Sequence, residues 1–412
     1  MFMNVFRKTL FLLLPVVLFE VMKSQAADPI FVVDSHYVTV EKLEYWSVDA
    51  LNNPILLSEE VYYNKYYSNF KSVLVSNHPT TTQDAIVPTG SDPQIGEVLV
   101  MCDGEDRCLV VAPDYLGYGT SKATTHPYMC TTLTARNVVD GVLAAMEYVK
   151  TRKTTKSLLF NGNKSENYYF DSNYYTWNVG YSQGGAATLA VHKYLETEAS
   201  QEVRDKIRLK KSICGAGPHL QTYMFDEMEQ YDDMFYSLYI PYTIDGLMYT
   251  FGNTIMRGLK EEDIYTEKFL NSNLLATMRA KNIVAADLNT LIAKTVGTNG
   301  KVNFYDIIRP EYRDRSSKLY RTIHKALSQL DLLDGWTPTL PIDFYHWTND
   351  EVVPFQESQM AYDHFKSLGC DVTLKKGEDI SVSSIWAVKS FDETHMGYGT
   401  KFYLSIFSGS LR

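Results

Sequence analysis

Short runs of β-branched and aromatic residues alternate with segments of helical period along most of the chain. That alternation predicts an α/β fold, a mainly parallel sheet with helices on both faces. The strands it predicts are Ser72–Ser76, Leu109–Ala112, Trp177–Tyr181, Lys211–Gly215 and Ile342–Trp347, preceded by an antiparallel stretch from Tyr37 to about Tyr63. Between the second and third of these, the run TLTARNVVDGVLAAMEYVKTR (Thr132–Arg152) puts Val138, Val142, Ala145 and Val149 on one face of a helix. The stretch Asn161–Asn173 reads as a polar surface loop. From about Thr222 to Gly335 the alternation stops and helical patterns rich in Met, Tyr and Leu take over. A block of that length between two strands predicts an inserted helical cap rather than a loop, dividing the remaining α/β core into residues 27–221 and 336–412. No repeat of fixed period and no low-complexity segment interrupts the pattern.

The first 26 residues stand apart. Arg7 and Lys8 precede an apolar run from Leu10 to Phe19, broken by Pro15, and Ser24-Gln25-Ala26 follows. A charged start, a short apolar middle and small residues before a cut predict a cleaved export signal at 1–26 and a periplasmic or secreted protein. About ten apolar residues cannot cross a ~30 Å hydrocarbon core, and no later segment reaches spanning length, so no transmembrane anchor is expected. The full chain of 412 residues carries a net charge of -10, and losing the three basic and one acidic side chains of the leader takes it to -12. No run of five or more Lys/Arg offers the basic footprint that a phosphate backbone requires, so nucleic acid is excluded as the expected partner. Hydrophobic residues at 45% and charged residues at 21% place the chain among ordinary globular proteins. No exposed amphipathic anchor is evident, and the 30 Tyr point to half-buried strands, loop packing and a stacking surface for a ligand. Five Cys leave at least one thiol unpaired in an oxidising compartment; Cys102 and Cys108 enclose a polar turn that a disulfide could clip. No second Cys pair or His pair sits at ligand spacing for zinc, and neither metal nor cofactor is expected.

The sharpest local signal is Asn178-Val179-Gly180-Tyr181-Ser182-Gln183-Gly184-Gly185-Ala186-Ala187, a strand running into G-x-S-x-G and directly into a small-residue helix. A serine on a strained strand-to-helix turn is lifted clear of the sheet, and the helix's first N–H groups face an incoming anion. Such a hydroxyl is a weak nucleophile without a base, and the base needs a carboxylate to hold its tautomer. Chain order then points to Asp350, in His346-Trp347-Thr348-Asn349-Asp350-Glu351-Val352-Val353-Pro354 after an apolar strand, with Asp343 and Glu351 as rivals. For the base, His395 in Glu393-Thr394-His395-Met396-Gly397 precedes a closing helix expected at Thr400–Phe407, whereas His364 lies in a helix pattern and His346 flanks the acid. Two donors are needed for an oxyanion. Gln183 N–H follows the nucleophile, and in Asn77-His78-Pro79-Thr80-Thr81-Thr82, where Pro79 has no N–H, Thr80 is the expected second donor with Thr81 next. His78 is expected to fix this loop, Asp114 to serve loop architecture, and His219 either to line the pocket or to pack as a satisfied polar group.

With NHPTTT at 77–82, APDYLGYGTS at 112–121, HPY at 126–128, GYSQGG at 180–185, CGAGP at 214–218, HWTNDEVVP at 346–354 and THMGYG at 394–399, the chain resembles the α/β-hydrolase superfamily and, within it, the secretory lipase family of exported esterases and lipases. These motifs span about 320 residues in the order of that family. The resemblance implies a Ser182–Asp350–His395 triad, a helical cap over an acyl pocket, and a small-molecule or lipid ester as substrate. Where many hydrolases have His-Gly, this chain has His78-Pro79, and the HGxxD pattern becomes His346-Trp347-Thr348-Asn349-Asp350. The expected activity is carboxylic-ester hydrolysis. A serine peptidase of the same fold is the alternative and a noncatalytic binding protein a third reading.

Overall fold

The computed structural model describes residues 28–34 (backbone only), 38–92, 107–380 and 393–406. The proposed leader at 1–26 lies outside these residues, as does Cys102 of the expected Cys102–Cys108 clip. Nine strands form one sheet in the order β1-β2-β3-β5-β4-β6-β7-β8-β9. β1 (Asp28–Asp34), β2 (Val38–Val48) and β3 (Pro54–Asn64) make the antiparallel entry, and β3 runs antiparallel to β5 (Cys108–Pro113). From there the pairing is parallel: β5 with β4 (Asn69–Asn77), then β6 (Tyr169–Tyr181), β7 (Leu209–Gly215), β8 (Ile342–His346) and β9 (Val372–Lys376). All five strands expected from the sequence are present. β6 differs in starting at Tyr169, inside the stretch expected to be loop, because its first seven residues are an exposed or half-buried extension whose polar character hides the strand.

Side chains alternate faces along the parallel strands, as the pleat requires. Val73, Val75, Leu109, Val111, Ile342 and Phe344 join one core, packed beneath helices α1 (Thr131–Lys150) and α2 (Gln183–Thr197). Leu74, Val110, Val179, Ile213 and Tyr345 face the other side and meet Phe402 and Tyr403 of the C-terminal helix. The β7–β8 connection is helical, including α3 (Gln221–Gln230), α4 (Tyr239–Phe251), α5 (Ala285–Thr295) and α6 (Lys318–Ser328), and forms its own core around Leu238, Ile244, Phe304, Tyr312 and Ile323. A large helical insertion thus stands between β7 and β8, where the sequence pattern loses its alternation.

The insertion is pinned to the loop after β4. Thr82 Oγ1 donates to Ile283 O at 2.5 Å and Asp84 N–H to Lys281 O at 2.8 Å. Lys281, 8% exposed, donates through its ammonium to three carbonyls of the core: Gly117, Lys122 at 3.0 Å and Thr124 at 2.6 Å. Lys281→Met keeps the apolar stem but leaves those carbonyls without their donor. The expected loss is about 2–4 kcal/mol at pH 7, read as a lower urea midpoint, with the sheet's circular-dichroism signal retained.

Candidate active site

Because β4 to β8 run parallel, their carboxyl ends open on one edge, where ligand sites of open α/β sheets form. Ser182 follows β6 as the N-cap of α2, with φ 57° and ψ -123°, a strained region for a non-glycine residue. The turn is held on both sides: Ser182 N–H donates to Gly215 O at 2.8 Å, and Ser182 O accepts from Ala186 N–H at 3.1 Å. Its flanking glycines are demanded by close backbone approach. A Cβ on Gly184 would lie 2.0 Å from Asn77 O, and one on Gly180 would lie 2.3 Å from Gly184 O. Asn77, fully buried, also ties the end of β4 to this turn, donating through Nδ2 to Asn178 Oδ1 at 2.8 Å and Thr188 Oγ1 at 2.9 Å.

Gln183 is the first residue of α2, so its backbone N–H has no intrahelical acceptor. Its side chain is fixed by His126, which the sequence offered only as part of the HPY motif at 126–128. Leu116 O accepts from His126 Nδ1–H at 2.7 Å, which leaves His126 Nε2 to accept from the Gln183 amide at 2.8 Å. Burial pushes the His126 pKa down to about 3, so the ring stays neutral and this tautomer persists at ordinary pH. Thr80 Oγ1 lies 3.0 Å from the Tyr128 hydroxyl, which joins the loop after β4 to the pocket wall. His78 fixes that loop: Nδ1 lies 2.7 Å from Pro79 O, Nε2 lies 3.1 Å from Asp114 O, and the ring stacks on Tyr115. Asp114 is itself absorbed by Ser58 Oγ at 2.5 Å and Thr89 N–H at 2.8 Å, in keeping with an architectural role.

Asp350 and His395, 45 residues apart, are in direct contact: His395 Nδ1–H donates to Asp350 Oδ2 at 2.6 Å. The other carboxylate oxygen accepts from Val352 N–H at 2.9 Å and Val353 N–H at 2.8 Å. Burial opposes charge on Asp350, but the attraction of His395 and hydrogen bonds from His346 and His395 outweigh it and hold the carboxyl well below the usual range. His346 is therefore a support for Asp350. Its Nε2–H donates to Val353 O at 2.9 Å and lies 3.4 Å from Asp350 Oδ2, while its Nδ1 accepts from Ser358 Oγ at 2.8 Å. Glu351, a rival for the acid by sequence, grips the main chain instead, accepting from His395 N–H at 3.0 Å. Tyr181 OH donates to His395 O at 2.7 Å, so His395 is anchored to the strand that carries Ser182. The closing helix, expected at Thr400–Phe407, is α8 (His395–Ser405): Thr394 caps it, accepting from Gly397 N–H, and His395 is its first residue.

Ser182 opens into a cavity of about 20 Å³ lined in part by Tyr128, Gln221, Met224, Met228, Val352 and Val353, the last two from the turn that follows Asp350. His395 Nε2 is buried and has no hydrogen-bond partner among the described residues, and no hydrogen bond joins it to Ser182 Oγ. The other sequence candidates are elsewhere. Asp343 is held by Lys211 Nζ at 2.9 Å and Thr373 Oγ1 at 2.7 Å within the sheet. His364 sits in helix α7 (Gln356–Ser367). His219 is fully buried edge-on to Phe344, outside the lining of that cavity and with neither ring nitrogen bonded among the described residues. Among the described residues no cluster of three or more His, Cys, Asp or Glu side chains could hold a metal ion.

The depressed Asp350 pKa has a measurable sign. Its folded value lies below the unfolded one of about 3.9, so on acidification the unfolded chain takes up this proton first. The stability Asp350 contributes is complete above about pH 5 and falls as the pH drops through the unfolded value toward the folded one. Asp350→Asn is expected to flatten the acid limb of stability, seen as a smaller fall in urea midpoint between about pH 5 and pH 3 than in the parent.

No protein-family model matches the sequence, and no curated protein matches it. Solved structures do. The rice cell wall degrading esterase LipA from Xanthomonas oryzae aligns over 82% of this chain and 83% of its own, at 21% identity and a TM-score of 0.65. A Legionella pneumophila protein provisionally assigned as a hydrolase aligns over 92% and 91%, at 17% identity and a TM-score of 0.69. Candida antarctica lipase A aligns over 85% and 76%, at 13% identity and a TM-score of 0.57. With the strand order, the strained turn after β6 and the helical block between β7 and β8 already described, these likenesses establish that the chain has the α/β-hydrolase fold.

Proposed function

We propose that the protein is an exported serine hydrolase of carboxylic esters, working through Ser182, His395 and Asp350 and a covalent acyl-enzyme. The observation that carries this reading is the 2.6 Å Asp350–His395 hydrogen bond at the same sheet edge as the strained Ser182 turn. Asp350 accepts the Nδ1 proton of His395, which leaves Nε2 as the basic nitrogen, the one ring position without a partner. His395 takes the Ser182 proton as Oγ attacks the ester carbonyl, and Asp350 stabilises the imidazolium. The N–H groups of Gln183 and Thr80 receive the oxyanion. His395 then protonates the departing alcohol, and water drawn through the same imidazole hydrolyses the acyl-enzyme.

The esterase and lipase names of the structural neighbours support ester chemistry over a peptide substrate. Residues 222–335 act in this proposal as the cap over the acyl site, and residues 1–26 as the export signal. A cavity of about 20 Å³ holds roughly one water, so an acyl chain enters by displacing the flexible thioethers of Met224 and Met228.

Covalent labelling with a fluorophosphonate, followed by peptide mapping, tests the nucleophile; the label is expected on the peptide containing Ser182. In a panel of esters of graded acyl length that includes a feruloyl ester and a peptide amide, turnover is expected on esters and not on the amide. Ser182→Ala is expected to lower kcat by about 10⁴–10⁶-fold with the fold intact, and persistent turnover in that variant would remove Ser182 from the mechanism.

A further inference from the structure

The loop between α1 and β6 presents an apolar tip to solvent. Leu158 is 82% exposed, Leu159 89% and Phe160 38%, the most open run of large apolar side chains among the described residues. The tip is built rather than slack: Ser157 N–H donates to Asn161 Oδ1 at 2.8 Å, Asn161 and Asn163 N–H both return to Ser157 O at 3.0 Å, and Asn161 Nδ2 donates to Thr155 O at 2.8 Å. Phe160 stacks on Tyr66 with centroids 4.7 Å apart and meets Tyr67 edge-on, and the Arg107 guanidinium lies 5.0 Å from the Tyr67 ring. Lys153, Lys156 and Lys164 flank the leucines in the same loop, all exposed and none in an ion pair among the described residues. Residues 153–166 hold one acid, Glu166, against these three lysines, so within a chain of net charge -10 this apolar-tipped loop is itself positive.

Leucines at the apex, aromatic rings beneath and lysines around them match the layers of a bilayer interface in depth: acyl chains, the headgroup boundary, then anionic phosphates. A protein partner fits less well. Three side chains on a convex tip fall far short of the roughly 1,200 Å² that a stable protein interface buries. We propose that residues 153–166 form a docking surface for an anionic phospholipid bilayer, with Leu158 and Leu159 entering the apolar region and Lys153, Lys156 and Lys164 meeting the phosphates. The loop feeds the amino end of β6, whose 13 residues span about 40 Å before Ser182. Docking here therefore leaves the candidate active site facing away from the bilayer.

The test is flotation of the full chain with vesicles of phosphatidylcholine alone, or of phosphatidylcholine with one-third phosphatidylglycerol, at low and high salt. Every variant carries residues 1–26 in common, so their contribution cancels. Binding is expected to the phosphatidylglycerol vesicles and to weaken with salt. The Leu158→Ser/Leu159→Ser double variant is expected to bind at least about tenfold more weakly. Lys153→Gln/Lys156→Gln/Lys164→Gln is expected to lose about 100-fold. Turnover of a soluble short-chain ester should be unchanged in both, which separates failure of docking from failure of the proposed catalysis. Absence of binding to anionic vesicles at low salt overturns the proposal, as does equal binding by parent and variants. Self-association of the parent that the leucine variant abolishes, without vesicle binding, would instead assign the tip to a contact between copies and equally overturn it.

Discussion

The carbonyl oxygen of Asn77 occupies the space that a side chain on residue 184 would fill, and much of the edge architecture follows from that approach. Two parallel strands can bring their carboxyl ends this close only where one of them turns sharply into a helix on glycine. The turn leaves Ser182 in a backbone conformation that ordinary residues avoid, and the surrounding hydrogen bonds of Gly215 O and Ala186 N–H hold it there. The same approach delivers the loop after β4, with His78 and Thr80, to the side of the turn. Strand order and local strain are thus one constraint expressed at two scales.

Around His395 the structure distributes separate tasks to adjacent carboxylates. Asp350 holds the imidazole by Nδ1, Glu351 holds the main-chain N–H of the same residue, and Tyr181 holds its carbonyl. Asp350 is in turn kept charged in a buried place by two backbone N–H donors and by His346, whose own tautomer is set by Val353 O and Ser358. Burying a carboxylate is costly unless its oxygens are satisfied, and here both are. His126 plays a comparable part for Gln183, a neutral buried ring that orients an amide side chain.

Much of this was legible in the sequence because it rests on periodicity and contiguous motifs. Continuous apolar runs gave the buried parallel strands, and the loss of alternation after Thr222 gave the helical insertion. The glycines around Ser182 marked its strained turn, and places after strands in chain order marked Asp350 and His395, which the structure brings into contact. What stayed hidden depends on contacts between distant segments. The polar first half of β6 has no strand pattern, because it is held by pairing to β4 and not by burial. The division between Asp350 and Glu351 is invisible in two neighbouring acids until the helix start at His395 is placed. His126 gave no local sign of reaching Gln183, 57 residues away. His346 did carry one, a buried strand-end histidine four residues before the acid, which is the spacing at which a tight loop folds back on itself.

The two-handed grip on His395 has a bearing on how the chain can vary. With its ring fastened to one acid, its amide to the next, and its carbonyl to a tyrosine of β6, the imidazole takes its position from β6 and from the turn after β8. A change of length in the turn after β8 would therefore displace the ring and the amide of His395 together, because both of its carboxylate partners stand in that one turn.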